Sequence, residues 1–186
     1  MSASACVTES SGHATHATGS SGRESSRHRT SRSLIYGLEL LRQFTAEQPE
    51  RGISELAREL NVSRPTAHRY ASTCLELGYL EQVRTRRYRL TRRAAEPGTK
   101  TLDHRRYSRA LQGGLAILAC FTPGRALLGS TEISQMLGMS VATTRRLVVT
   151  LAEVGYLERD PSRKYRLSSK AIDLGLASMN ATGAEE

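Results

Sequence analysis

The sequence predicts a mainly helical protein with small β-hairpins, organised as two copies of one folding unit. The first observation is an internal repeat. Shifting the chain by 77 residues places residues 34–98 on residues 111–175 without a gap, and about a third of the positions are identical. The second observation is a change of period within each copy, from helical apolar spacing to the short alternation typical of strands. Because both copies show the same elements in register, they indicate one duplicated domain.

The repeat and the composition divide the 186 residues into five segments. We predict domain 1 at residues 33–98 and domain 2 at residues 109–179, joined by a polar, basic linker at 99–108. Residues 1–32 are rich in Ser, Thr, Gly and His and have almost no large apolar side chain, which predicts a disordered basic arm. Residues 180–186 are predicted to be a disordered tail. The arm either lies along DNA or serves only as a solubilising tail.

The charge balance indicates the class of partner. The sequence contains 27 Lys and Arg residues and 18 Asp and Glu residues, which gives a net charge of +9. This surplus indicates a polyanionic partner, with nucleic acid ahead of an anionic membrane surface. The sequence has no stretch of about 18 apolar residues and no apolar run near its N-terminus, which predicts neither a membrane span nor a secretory signal. We therefore expect a prokaryotic cytoplasmic location, near the nucleoid, and no membrane partner.

The chemistry-bearing residue types do not form a catalytic or metal-binding pattern. Cys6, Cys74 and Cys120 show no C-x-x-C spacing and no nearby His cluster, so we expect reduced thiols, one or two of them in a core. We also expect no cofactor. The sequence contains no Gly-rich phosphate loop, nucleophile elbow or H-E-x-x-H motif. These observations predict that the protein is not an enzyme.

Two helices are predicted at the start of each copy. In the first copy, apolar residues at i, i+4 and i+7 from Leu34 to Phe44 indicate the first helix. After a break at Gly52, we expect Ser54 to cap a second helix that has Glu55 in its first turn.

A third helix is predicted to run from its cap at Ser63 to Leu77. Pro65 fits the first turn, where its missing N–H costs nothing, and Gly78 fits the left-handed residue that ends a helix. In the second copy, the inner face of the same helix is predicted to carry Thr144, Leu147, Val148, Leu151 and Val154.

Two short strands are predicted after the third helix, at residues 79–83 and 87–90, around a basic turn. The corresponding turn in the second copy, Asp-Pro-Ser-Arg at 160–163, is typical of a type I turn. Three helices, with a short gap between the second and third, followed by a hairpin, are the order of a winged helix-turn-helix domain. The predicted fold is therefore mainly α, with two tandem winged helix-turn-helix domains.

The first copy resembles a known family over its second and third helices. Residues 53–69 (ISELARELNVSRPTAHR) and 75–81 (LELGYLE) are similar to the N-terminal DNA-binding domain of the IclR-type transcriptional regulators. The second copy is similar through residues 132–134, 140–146 and 154–160. The resemblance implies sequence-specific binding to double-stranded DNA and regulation of transcription, with repression as the expected sign. In the family, such a domain usually precedes a larger effector-binding domain, whereas here a second copy follows.

The exposed N-terminal end of each third helix is the predicted reader of base edges, because an α-helix fits the major groove of B-DNA. Arg69 and Arg146 occupy equivalent positions and can each offer a bidentate fork to guanine or phosphate. The two hairpins add cations that can contact phosphates or the minor groove. The candidate DNA-binding residues are Ser63, Arg64, Pro65, Thr66, His68, Arg69, Arg84, Arg86 and Arg87 in domain 1, and Ser140, Val141, Thr143, Thr144, Arg145, Arg146, Arg163 and Lys164 in domain 2.

The two third helices differ at three of their exposed positions, so we expect one chain to recognise two unlike half-sites. The two domains form either a pseudo-twofold pair within one chain or part of a homodimer with four reading helices. Transcription machinery is a further expected partner. Arg89 and Arg166, between apolar strand residues, are the wing cations expected to be structural.

An alternative function is that of an architectural or interaction module in chromosome, plasmid or phage machinery. Such a module would more often expose an apolar patch on the third helix. Val149 is the one candidate for that exposure.

Overall fold

The computed structural model describes residues 30–91 and 107–180, the last five by their backbone alone. The predicted arm, except for its last three residues, most of the linker and nearly all of the tail lie outside these ranges. We call residues 30–91 the N-terminal unit and residues 107–180 the C-terminal unit. The N-terminal unit contains α1 (Arg32–Arg42), β1 (Glu50–Gly52), α2 (Ile53–Glu59), α3 (Arg64–Glu76), β2 (Leu80–Arg84) and β3 (Arg87–Leu90). The C-terminal unit contains α4 (Arg109–Ala119), α5 (Ser130–Leu137), α6 (Val141–Glu153), β4 (Leu157–Arg159), β5 (Tyr165–Leu167) and α7 (Ser169–Asn180).

The predicted fold class is confirmed: both units have three helices followed by a small antiparallel hairpin. Helix α1 begins at Arg32, one residue before the predicted start of domain 1. The bounds predicted for the two domains and the linker stay predictions.

The second helix of the N-terminal unit is capped differently from the sequence prediction, and that of the C-terminal unit is capped in the same way. Ser54 is not the cap, because α2 begins at Ile53 and Gly52 occupies the N-cap position. The Glu55 carboxylate, three residues after the cap, accepts a hydrogen bond from the Gly52 N–H at 3.1 Å. Glu132 binds the N–H of Gly129 at 2.5 Å in the same way at the start of α5. A carboxylate reaching back therefore replaces the predicted hydroxyl cap.

The third helices begin as the sequence predicts. The hydroxyl oxygen of Ser63 accepts the Thr66 N–H at 3.3 Å, and that of Ser140 accepts the Thr143 N–H at 3.2 Å. Gly78 follows α3 with φ +77°, a conformation that favours glycine, as predicted. These caps fix where the third helices start and stop, and hence which residues lie at their N-terminal ends. We call these the leading ends.

The sheets of the two units differ. In the N-terminal unit the strand order is β1-β3-β2, with Glu50 opposite Arg89 and Glu81 opposite the same residue on the other side. Strand β1 is not predicted from the sequence. In the C-terminal unit β4 pairs with β5 alone, and an isolated bridge between Leu128 and Tyr165 stands where β1 would be.

The buried apolar residues of both units form one continuous core. The two units meet through α1 and α4, where glycines allow close approach. A Cβ added to Gly37 would lie 2.5 Å from the Leu111 side chain, and a Cβ on Gly114 would overlap Leu34. These two contacts are related by the 77-residue repeat, since Leu34 corresponds to Leu111 and Gly37 to Gly114. The contact between the units is therefore reciprocal, like the interface of a twofold dimer.

A pair of buried hydrogen bonds repeats the same symmetry. The Ser31 N–H donates to Thr150 Oγ1 and the Ser108 N–H donates to Thr73 Oγ1, both at 2.9 Å. Each threonine hydroxyl donates in turn to a carbonyl one helical turn earlier, that of Arg69 or Arg146. Each third helix is thus bonded to the residue that precedes the first helix of the other unit.

Candidate nucleic-acid interface

Helix α3 separates an apolar inner face from a polar outer face. Ala67, Tyr70 and Cys74 are buried, whereas the residues at the leading end point to solvent. Ser63, Arg64, Pro65, His68 and Arg69 are exposed, and Thr66 is half-buried. Because Ser63 caps the helix, these residues lie within its first two turns, at the end that a groove-reading helix presents to base edges.

Helix α6 places an equivalent set of side chains at its leading end. Leu147, Val148 and Leu151 are buried on the inner face. Ser140, Val141, Ala142, Arg145 and Arg146 are exposed, and Thr143 is half-buried. The site residues predicted on the two third helices therefore lie on solvent-facing surface, with one exception.

The exception is Thr144, for which the predicted DNA contact is wrong. Its side chain is fully buried on the inner face of α6, and its hydroxyl oxygen has no hydrogen-bond partner among the described residues. A fully buried side chain cannot reach a duplex. The equivalent position in α3 is Ala67, which is also fully buried. The position belongs to the inner stripe that the helical spacing already predicted.

The polar side chains of α3 have partners within the N-terminal unit. The Arg64 guanidinium donates to the hydroxyl oxygen of Ser54, at 3.1 Å from its Nε. The His68 ring lies 3.3 Å from the Ser72 hydroxyl, and the Arg69 guanidinium lies over the Tyr70 ring at 5.4 Å from its centroid. A guanidinium has five N–H groups, of which Arg64 uses part on Ser54, and the stacking of Arg69 on Tyr70 uses none. The arginines are oriented and still able to donate outward.

The cations of α6 are less constrained. Within the described part of the chain, Arg145 and Arg146 form no side-chain hydrogen bond or ion pair, and both are exposed. Val141, the first residue of α6, is 50% exposed. The two third helices therefore present different chemistry on the same backbone frame.

The wing turns carry equivalent arginines in an unusual conformation. Arg86 has φ +63° and Arg163 has φ +66°, left-handed values that non-glycine residues rarely adopt. Both side chains are exposed, as is Arg84. In the second turn the Arg163 N–H donates to the Asp160 carbonyl at 3.1 Å, which is the bond of a β-turn. The turns thus hold a cation at the same point of each wing.

Two predicted wing residues have partners inside the protein. Arg87 forms ion pairs with Glu50 at 3.4 Å and with Glu55 at 3.6 Å. Lys164, its equivalent, pairs with Glu132 at 3.2 Å. In both units the partner is the carboxylate that caps the second helix. The backbone hydrogen bond from the cap glycine, assisted by these cations, lowers the pKa of Glu55 and Glu132. The structure thus gives both cations a role in linking the wing to the second helix.

The structural role predicted for Arg89 and Arg166 is confirmed. Arg89 pairs with Glu81 across β2 and β3, and Arg166 pairs with Glu158 across β4 and β5, with Nη2 to Oε2 at 2.8 Å. Opposite charges placed directly across a ladder stabilise the pairing of the strands.

The exposed apolar residues differ from the prediction. Val149 is half-buried. The large apolar side chains that are exposed among the described residues are instead Leu127, Met136, Val141 and Ile172. Only Val141 belongs to a third helix.

The described cysteines are core residues. Cys74 and Cys120 are buried free thiols, as predicted, and burial raises the pKa of each. Within residues 30–91 and 107–180, no group of three or more His, Cys, Asp or Glu side chains is placed to hold a metal ion. The helices in these ranges also include none with the length and apolar character that crossing a membrane requires.

The sequence reasoning missed Thr73 and Thr150, which bond each third helix to the other unit. A threonine within a helix commonly bonds only its own i−4 carbonyl, so neither residue attracts notice alone. Their identity at equivalent repeat positions is the signal that could have identified them.

Comparisons with known proteins point to one family. The family model of the IclR helix-turn-helix domain matches residues 33–84 and again residues 110–161, together more than half of the chain. An HTH-type transcriptional regulator of Comamonas testosteroni, TsaQ1/TsaQ2, is 38% identical over 77 residues, which are 41% of this chain and 27% of that protein. A solved structure of an IclR family transcriptional regulator from Brucella abortus is 40% identical, with a TM-score of 0.39. That match covers 44% of this chain and 31% of the other.

The chain thus spans less than a third of the length of these relatives. The family model finds the helix-turn-helix domain twice along the chain. The resemblance seen in the sequence is confirmed: the chain belongs to the IclR helix-turn-helix domain family.

Proposed function

We propose that this protein is a sequence-specific regulator of transcription that binds double-stranded DNA with α3 and α6 in neighbouring major grooves. One observation carries the proposal. The two helices present exposed, basic leading ends from equivalent positions, and reciprocal contacts between α1 and α4 join their units within one chain. A pseudo-twofold pair of readers is the arrangement that recognition of two half-sites about 34 Å apart requires.

The polar contacts between the units support a fixed spacing of the two readers. Thr73 and Thr150 connect the carbonyls of Arg69 and Arg146 to the backbone N–H groups of the other unit. These are the carbonyls of the two arginines proposed as base or phosphate contacts. A shift of one unit against the other would break a buried hydrogen bond, which costs about 1–3 kcal/mol. The readers are therefore expected to tolerate little change in half-site spacing.

The wings supply contacts that position the protein without reading sequence. Arg84, Arg86 and Arg163 are exposed near the wing turns, where cations meet phosphates. Arg87 and Lys164 are already paired with carboxylates, so we assign them to the frame of the wing. If about six to eight phosphates are neutralised, the logarithm of affinity falls with the logarithm of salt concentration at a slope of about −5 to −7.

Regulation follows from occupation of the site. A chain that covers two adjacent major grooves excludes other proteins from about 20 base pairs, which makes repression by occlusion the sign that we propose. The related proteins are named transcriptional regulators, which supports a promoter as the context of binding.

Selection of bound fragments from randomised duplex DNA tests the proposal, with the full chain and with Arg69→Ala and Arg146→Ala. We expect one asymmetric consensus for the full chain and loss of base preference on one side with each variant, worth about 1–3 kcal/mol at the affected positions. Glu47→Ala, at an exposed residue of the loop after α1, is the control that leaves the consensus unchanged. Binding that no chosen duplex improves over scrambled competitor would contradict the proposal and favour an architectural module.

A further inference from the structure

We infer that Val141 reads the 5-methyl group of a thymine, so that the half-site bound by α6 contains a thymine that the half-site bound by α3 does not require. This inference rests on the proposed function. Val141 is the first residue of α6, directly after the cap Ser140, and 50% of its surface is exposed. It is thus an apolar side chain at the end of the helix that meets base edges.

The surroundings of Val141 favour DNA as its occupant. Arg145, one turn further along α6, and Arg146 are exposed cations without side-chain partners among the described residues. The wing of the same unit adds the exposed Arg163. A duplex complements these cations with phosphates. Within its major groove, the thymine methyl is the apolar group that a base edge presents. An apolar side chain on a helix that also carries exposed cations therefore matches a thymine beside phosphates.

The equivalent residue of α3 has the opposite chemistry. Arg64 stands where α6 has Val141, and its guanidinium is held by the Ser54 hydroxyl. A guanidinium offers only donors, which suit guanine or phosphate and gain nothing from a methyl group. Thr131 occupies the position of Ser54 in the C-terminal unit, where Val141 leaves it no guanidinium to hold. The thymine requirement is therefore confined to one side of the site.

Replacing thymine by deoxyuridine removes only the 5-methyl group, which makes it the direct test. The probe is the duplex selected by the full chain from randomised DNA, with each thymine replaced singly. We expect affinity to fall about fourfold at one position, the equivalent of about 0.8 kcal/mol for one buried methyl group. That position lies in the half-site whose consensus Arg146→Ala removes. Replacements in the other half-site leave affinity unchanged.

Two variants on the same helix make the test specific. Val141→Ala should bind the thymine and deoxyuridine duplexes equally at that position. Val149→Ala makes the same chemical change at a half-buried residue of the same helix and should retain the fourfold discrimination. Val141→Arg makes the leading residues of α3 and α6 alike, and the sequence that it selects should lose the thymine.

The outcomes separate this inference from the proposed function. If the full chain selects a consensus but tolerates deoxyuridine at every position, Val141 is not a thymine reader, although the proposed function stands. If Val149→Ala abolishes the discrimination as completely as Val141→Ala does, the effect belongs to the packing of α6, and the inference is wrong. If no consensus emerges at all, the proposed function itself fails.

Discussion

The N-terminal and C-terminal units share a frame and differ in what the frame presents. Residues that cap the third helix or join the units are identical in the repeat, as the pairs Ser63/Ser140 and Thr73/Thr150 show. Residues at the leading end of the third helix differ, as in Arg64 and Val141. Because the frame alone holds both readers in place, the exposed positions are free to differ. The two units thus keep one geometry and differ in the surface that reads DNA.

A second difference lies beneath the wings. In the N-terminal unit, Arg51 is buried at 9% exposure between Glu55 and Glu59, each at 3.8 Å. The equivalent position in the C-terminal unit is Leu128, which is buried at 6%. The charged version is accompanied by the extra strand β1, whereas the apolar version has only an isolated bridge. The same fold thus fills the equivalent position under the hairpin with a paired charge in one unit and with an apolar side chain in the other.

Separating the units is expected to have the largest effect on DNA binding. In Gly114→Val, the new side chain would overlap Leu34 and push α1 away from α4. If both readers bind as one unit, loss of their fixed relation lowers affinity by about 100-fold, as when a bivalent ligand becomes monovalent. Overpacking also costs about 1–3 kcal/mol of stability. Gel-shift titration with the selected duplex measures the first effect and urea denaturation the second.

Gly124→Val is the matched control, because nothing lies within 4 Å of a Cβ at Gly124. It should leave both measurements nearly unchanged. Full affinity in a folded Gly114→Val would show that the contact between the units is not needed for binding.

Exchanging the residues beneath the wings should affect the two units unequally. Leu128→Arg places a charge at a buried position where Glu132 corresponds to Glu55 but Met136 stands in place of Glu59, and we expect a loss of about 2 kcal/mol. Arg51→Leu removes a buried charge whose Nε has no hydrogen bond, so a change of under about 1 kcal/mol is expected. Urea denaturation of both variants gives the comparison. Equal losses of stability would mean that the charged and the apolar residue are not two ways of stabilising the same position under the hairpin.

Removing the threonine hydroxyls tests the reciprocal bonds between the units. In Thr73→Val the buried Ser108 N–H loses its acceptor, and in Thr150→Val the same happens to Ser31, at about 1–2 kcal/mol each. Because the bonds are related by the repeat, we expect similar losses in unfolding free energy. Thr122→Val, at an exposed threonine, is the control. A loss confined to one variant would show that the contact is not reciprocal in energy.

The smallest expected effect is on the acid stability of the caps. The pKa of Glu55 and of Glu132 is lowered from 4.5 by the hydrogen bond from the cap glycine. A depressed folded pKa stabilises the fold above pH 4.5, and this contribution is lost as the pH falls below that value. The urea midpoint should therefore fall between pH 5 and pH 3, and less steeply in Glu55→Gln and Glu132→Gln. If the urea midpoint of both variants falls with pH as steeply as that of the unchanged protein, the two capping carboxylates do not contribute to its acid sensitivity.

The sequence predicts the elements whose signals are local. Ser63 and Gly78 bound α3 as predicted, because a cap and a left-handed glycine act within a few residues. The capping of α2 is predicted wrongly, because Glu55 reaches back to Gly52 and displaces Ser54. Strand β1 is missed, since three residues without apolar alternation become a strand only when β3 pairs with them.

The candidate site is likewise predicted from the sequence only where the signal is local. Exposure of the arginines on α3 and α6 follows from helical spacing, and so does the burial of Thr144, which that spacing places inside. The helix-capping carboxylates that pair with Arg87 and Lys164 lie more than 30 residues away, and local patterns do not reach so far. The bonds of Thr73 and Thr150 depend on how the two units meet. Contacts that need tertiary structure are the ones that the sequence leaves open.

The central claim is that one chain holds both readers on one DNA site. Native mass spectrometry of the full chain with a selected duplex of about 20 base pairs tests it most directly. We expect a complex of one chain of 20.4 kDa with one duplex, already formed at low occupancy. A complex that appears only with two chains per duplex would contradict it.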